Sequence, residues 1–103
     1  DQFVKKALKV VRENIANSEF GKDEFASAMN ASPSLLYKKI KALTGQSPID
    51  FIKKIRLDHS LELLQSRKYS ITEVSEQCGF SSVGYFSTVF KKHFDKTPSE
   101  IIS

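Results

Sequence analysis

Cysteine is almost absent from this 103-residue chain: Cys78 stands alone, so no intrachain disulfide can form. A lone thiol without a Cys/His cluster offers no zinc site, and the usage fits a reducing cytosol. No apolar run approaches the roughly 18 residues of a membrane span, and the opening Asp1-Gln2 has no signal-peptide layout. Glycine, proline and serine nowhere accumulate into a linker, and no segment sustains strand alternation. Nucleophile elbows, phosphate loops and metal-spaced clusters are missing, which argues against an enzyme and predicts no catalytic residue, cofactor or metal. A first residue other than methionine predicts a domain cut from a longer chain, with any sensing or oligomerising part elsewhere.

What is present is charge of one sign, unevenly spread. The net charge is +4 with a pI near 9.2. Between Ser32 and Arg56 stand Lys38, Lys39, Lys41, Lys53, Lys54 and Arg56 against a single acid, Asp50, the local excess a nucleic-acid footprint requires. At this length the chain should form one domain, or two small subdomains, held by packing alone.

The chain also repeats itself. Ser34-Leu35-Leu36-Tyr37-Lys38-Lys39-Ile40-Lys41, moved forward by about fifty positions, falls on Gly84-Tyr85-Phe86-Ser87-Thr88-Val89-Phe90-Lys91. Leu36 then lies over Phe86, Ile40 over Phe90 and Lys41 over Lys91. Ser47-Pro48 and Thr97-Pro98 close the two copies alike, each a helix N-cap followed by proline at the first helical position. Upstream the offset drops by one, with Glu24 on Glu73 and Asn30 on Gly79, so the second copy's turn has one extra residue.

Helical periodicity orders the rest. Val4, Leu8, Val11 and Ile15, with Phe3, Ala7 and Val10 beside them, predict an amphipathic first helix ending between Asn17 and Gly21. A short second helix from Lys22 to Met29 should bury Phe25, Ala26 and Met29. Ser32-Pro33 starts the third, with a core stripe of Leu36, Ile40 and Leu43 and with Ser34, Tyr37, Lys38 and Lys41 turned away; Thr44-Gly45 stops it. The longest helix, Pro48 to Ser66, divides its apolar residues into Phe51, Ile52, Ile55 and Leu63 on one face and Leu57, Leu61 and Leu64 on the other. Its roughly 20 residues would span about 30 Å, close to one turn of B-DNA. Ser70-Ile71-Thr72-Glu73 is a capping box opening a fifth helix to Cys78, and Gly79-Phe80 makes a turn. A sixth, capped by Ser81 or Ser82, should bury Phe86, Val89, Phe90 and Phe94 and expose Gly84, Ser87, Thr88 and Lys91. Pro98 to Ile102 is the last. The prediction is an all-α fold of about seven helices: a helix-turn-helix subdomain over residues 1–46, a linking helix over 47–67 and a second helix-turn-helix over 68–103.

The stretch Gly79-Phe80-Ser81-Ser82-Val83-Gly84-Tyr85-Phe86-Ser87-Thr88-Val89-Phe90-Lys91-Lys92-His93-Phe94-Asp95-Lys96-Thr97-Pro98-Ser99-Glu100 resembles the signature of the AraC/XylS family of bacterial transcription regulators. Ile71-Thr72-Glu73-Val74-Ser75, Arg56-Leu57, Leu63-Leu64 and Leu43-Thr44-Gly45-Gln46-Ser47-Pro48 also fit, so the likeness covers nearly the whole chain. Leu36 to Gly45 and the first helix look more specifically like the C-terminal domains of hybrid two-component regulators, in which sensor kinase, receiver and DNA-binding domain share one polypeptide. That resemblance implies a cytoplasmic DNA-binding domain, absent sensor and receiver parts, and a parent that could carry a histidine kinase and a membrane anchor. It further implies that the third and sixth helices enter successive major-groove segments of a double-stranded site with two half-sites about one turn apart, RNA polymerase being a possible further partner.

Matched residue by residue, the family's base-facing positions fall on Ser34, Leu35, Tyr37 and Lys38 in the first unit and on Val83, Gly84, Ser87 and Thr88 in the second, with Lys41 and Lys91 toward phosphate. Thr88 departs from the longer basic residue common there, which implies a second unit leaning on methyl contacts or DNA shape. Helix N-termini at Ser32, Ser47, Ser81 and Thr97 offer N–H groups to phosphates.

The aromatic set Phe80, Tyr85, Phe86, Phe90 and Phe94 has helical spacing and is expected in the core rather than stacked on bases. Cys78 matches Met29 and is expected as a small core residue; His59 and His93 lack ligand partners; Ser60 should bond back to its own helix. The rival function is a protein-interaction module reusing the fold, which an exposed apolar strip would favour over basic and polar side chains.

Overall fold

The computed structural model describes residues 1–103. All seven elements are helices: α1 (Gln2–Glu13), α2 (Lys22–Ala28), α3 (Pro33–Thr44), α4 (Pro48–Ser66), α5 (Ile71–Gln77), α6 (Val83–Phe94) and α7 (Pro98–Ile102). They form two compact units. Unit 1 holds residues 1–15 and 19–55; unit 2 holds 16–18 and 56–103.

Unit 1 is organised around Phe25, Leu36 and Ile40, all fully buried, with Ala7, Val10 and Val11 from α1 and Phe51 and Ile52 from α4. Phe25 stacks on Phe51 with ring centroids 5.8 Å apart and meets Phe20 at 6.0 Å. α1 begins on Asp1, whose carboxylate accepts from the N–H groups of Phe3 and Val4. It stops earlier than its periodicity predicts: Asn14 caps it, the side-chain amide donating to the Val10 carbonyl at 2.8 Å. In α2 the Glu24 carboxylate reaches back to the Gly21 N–H at 3.0 Å. Asn30 adopts φ 56° in the turn, a conformation asparagine tolerates, and the Ala31 N–H donates to the Ala26 carbonyl. Ser32 caps α3, and Gly45 at φ 77° ends it in the left-handed region.

Leu43 is a correction. It lies at core spacing from Leu36 and Ile40 but is 46% exposed and outside the unit-1 core. It falls in the last turn of α3, where helical spacing alone does not set burial.

Unit 2 repeats the plan with aromatic filling. Phe80, Phe86, Phe90 and Phe94 run as successive ring contacts at 4.8, 5.5 and 4.6 Å, joined by Leu57, Leu64, Val74 and Cys78. Ser70 and Glu73 form the predicted capping box, with contacts of 3.1 and 2.9 Å. Gly79 occupies the turn at φ 76°, and the Phe80 N–H donates to the Ser75 carbonyl as Ala31 does to Ala26. Ser82, rather than Ser81, caps α6, which places the extra residue of the second turn between Gly79 and the cap.

α4 sorts its apolar side chains along its length, not by face. Phe51, Ile52 and Ile55 belong to the first core; Leu57, Leu61, Leu63 and Leu64 belong to the second, so Leu63 leaves the set its periodicity assigned. Ser60 is fully buried, its hydroxyl donating to the Leu57 carbonyl at 2.6 Å. Burial pushes the Cys78 thiol up to about 12, so it stays protonated and inert.

Candidate nucleic-acid interface

The face of α3 opposite the unit-1 core presents Ser34, Lys38 and Lys41, flanked by Leu35 at 45% exposure and Tyr37 at 50%. All five are exposed, so the structure gathers the first predicted set on one helix. The Ser32 hydroxyl takes the Leu35 N–H at 3.2 Å, and the Leu36 N–H goes to the Ser32 carbonyl. Pro33 has no N–H, which leaves the Ser34 N–H as the outward donor of that turn. Lys41 rests its ammonium on the Gly45 carbonyl at 3.1 Å, with two further protons to donate.

On α6 the matching face carries Val83, Gly84, Thr88 and Lys91, all exposed, and Ser87, half-buried. The Thr88 hydroxyl donates to the Gly84 carbonyl at 3.1 Å, so its proton is committed to its own helix. A Cβ at Gly84 would meet nothing within 4 Å. The fold therefore does not demand glycine there; its effect is to bare the backbone at the start of α6. Tyr85 corrects the aromatic expectation: it is 47% exposed, its ring tilted at 55° to that of Phe80 with centroids 6.2 Å apart. It occupies the position Leu35 holds on α3 and joins the exposed face. The repeat alignment could have shown this, since Leu35 sits outside the core stripe.

The basic cluster is smaller than its sequence suggests. Arg56 is 6% exposed and donates to the carbonyls of Cys78, Gly79 and Asn17. Its guanidinium holds the unit-2 turn, and desolvation by burial lowers its pKa. Lys39 lies over the Phe3 ring at 4.9 Å, and Lys53 approaches Asp50 at 4.0 Å. On α3 itself the exposed cations turned from the core are Lys38 and Lys41; Lys54, also exposed, lies on α4.

A concavity of about 470 Å³ opens beside α3 in unit 1, lined by Lys22, Pro33, Ser34, Leu36, Tyr37, Lys38, Ser47, Pro48 and Ile49. Lys22 and Ile49 were not among the predicted residues. The signal for Lys22 was the repeat itself, which sets it against apolar Ile71. No three His, Cys, Asp or Glu side chains gather as a metal site, and no helix is long and apolar enough to cross a membrane.

Two helix-turn-helix units whose third helices bare polar and basic faces define a nucleic-acid-binding class of fold. A family profile for a helix-turn-helix domain matches residues 25–103. Histidine kinase P4 of Formosa agariphila is 42% identical over 100 residues, 97% of this chain and 7% of that protein. The HTH-type transcriptional activator RhaR of Salmonella dublin is 34% identical over 87 residues, 84% of this chain and 31% of that protein. Among solved structures, the C-terminal domain of AraT, a response regulator from Geobacillus stearothermophilus, superposes with a TM-score of 0.90 at 31% identity, covering 99% of this chain and 84% of that one. The chain belongs to the AraC-type helix-turn-helix family, the DNA-binding domains of transcription regulators. It spans 7% of the kinase relative and about a third of RhaR.

Proposed function

We propose that residues 1–103 act as one sequence-specific DNA-binding domain with α3 and α6 as its two reading helices, α4 linking them. The observation that carries this is the equivalence of the two exposed faces: Ser34, Leu35, Tyr37, Lys38 and Lys41 on α3, and Val83, Gly84, Ser87, Thr88 and Lys91 on α6. A helix about 10–12 Å across fits the major groove, where short polar and basic side chains meet base edges. Lys38 serves guanine O6 or N7, Tyr37 offers a hydroxyl, Leu35 packs on a thymine methyl, and Lys41 and Lys91 neutralise phosphate.

The second helix reads less. Lys38 is replaced by Thr88, whose proton is already bonded within α6, and Ser34 by Gly84, so contact there falls to methyl groups and close backbone approach. Both helices run in the same chain order, so the site is asymmetric, with two half-sites about 10 bp apart. The likeness to a histidine kinase and to a response regulator supports a parent chain with sensor and receiver parts that place this domain under phosphorylation control in the cytoplasm, with RNA polymerase as a downstream partner.

Selection of duplexes from a random library near physiological salt tests this. A bipartite motif with parts about one turn apart is expected; enrichment of one half alone would leave a single working helix, and no enrichment at any salt would favour a protein partner.

A further inference from the structure

Arg56 is the one charged side chain buried in the molecule, and base reading by α3 and α6 gives it no task. Its Nη1 donates to the carbonyls of Cys78, at 3.2 Å, and Gly79, and its Nη2 to that of Asn17 at 2.9 Å. Cys78 and Gly79 are buried, and neither carbonyl takes a backbone N–H in the turn, so the guanidinium is what satisfies them. Residues 16–18, between α1 and α2, cluster with unit 2, so the whole clamp lies inside that unit. We infer that Arg56 is a positioning residue for the second reading helix: braced on Asn17, its planar fork fixes the turn at Cys78 and Gly79, and with it the place of the first turn of α6. This rests on α6 reading DNA.

Phe86 and Phe90 anchor the body of α6 in the unit-2 core, whereas its first turn, with Val83 and Gly84, is exposed and separated from Gly79 only by Phe80, Ser81 and Ser82. Whatever fixes Gly79, at φ 76°, therefore fixes where that turn begins. Placement matters more here than on α3. Lys38 reaches out on a flexible stem that absorbs small errors, but the bared backbone at Gly84 and the methyl groups of Val83 and Thr88 act only at contact distance. An apolar residue would fill the same space without the desolvation that lowers the Arg56 pKa. What arginine alone adds is directed bonds to three carbonyls from one rigid group. Unit 1 is built without such a clamp: the residue fifty positions before Arg56 is Lys6, exposed on α1, and Asn30, which matches Gly79, is exposed rather than buried.

The test uses the 103-residue chain and a duplex enriched by selection, with each half-site scrambled in turn. The dissociation constant of a scrambled duplex over that of the intact one gives the discrimination contributed by that half. Arg56→Lys keeps the charge but not the fork. Held well below its melting midpoint, it should bring the second-half ratio to about one and leave the first-half ratio unchanged. A folded Arg56→Lys that keeps the second-half ratio, or that lowers both ratios alike as general loosening would, overturns the positioning role while reading by α6 stands. Should Arg56→Lys not fold, Asn17→Gly decides instead: it loosens the exposed segment that braces the guanidinium, touches neither core, and should lower the second-half ratio alone. Unchanged ratios in Asn17→Gly, or both lowered, overturn the role. An unaltered chain whose second-half ratio is already about one overturns the role and the reading by α6 together.

Discussion

Lys38 and Lys41 sit one turn apart on α3 yet should behave differently under the proposed reading, because Lys38 is exposed in the body of the helix and Lys41 lies at the helix end with its ammonium on the Gly45 carbonyl. Lys41→Ala is expected to weaken all sequences alike and flatten the salt dependence, whereas Lys38→Ala should relax preference at one base pair by about 1–3 kcal/mol, the scale of a bidentate guanine contact. Titrating both variants against the selected site and its single-base variants at matched salt separates them; unchanged binding in both would remove these lysines from the interface. Arg56 shows the opposite fate of a cation. Buried with three carbonyl acceptors, it is held by hydrogen bonds whose loss would leave turn carbonyls unsatisfied, so its charge does structural work within unit 2.

Among the elements, α5 and α7 start on reciprocal caps. Hydrogen bonds from the Ser70 backbone and side chain hold the Glu73 carboxyl below the usual carboxylate range, and Thr97 does the same for Glu100. A carboxyl lowered in the folded state adds stability above its unfolded pKa and loses it as pH falls through the folded value. Melting temperature should therefore drop on acidification below about pH 4–5, where unfolded carboxylates titrate. In Glu73→Gln with Glu100→Gln, where glutamine keeps the box without the proton, that acid limb should be shallower; an identical limb would show that the caps do not couple to pH. Ser70→Ala should cost about 1 kcal/mol at neutral pH through loss of the cap.

For the whole molecule, the two units share a plan but not a chemistry. Unit 1 exposes Lys38, Tyr37 and Leu35 on α3; unit 2 exposes Thr88 and Tyr85 on α6, with Ser87 half-buried between them. Specificity should then rest on the first half-site: scrambling it should abolish discrimination, while scrambling the second should leave most of it. Competition binding with the two scrambled duplexes measures this, and equal losses would mean that both helices read equally.

The sequence by itself determined the helices, because caps, prolines and left-handed turn residues act within a few positions: Ser32-Pro33, the Ser70 to Glu73 box and Gly79 all mark real boundaries. It also determined which residues of α3 and α6 share a face, since a 3.6-residue repeat sets that alone. Only the tertiary structure decided which neighbours cover a side chain. Leu43 and Tyr85 have helical spacing but stay about half exposed, Leu63 packs with the second core, and Arg56 is drawn inward by the carbonyls of a turn 22 residues away. The recess holding Lys22 and Ile49 arises in the same way, from three helix starts distant in sequence that packing brings to one edge of α3.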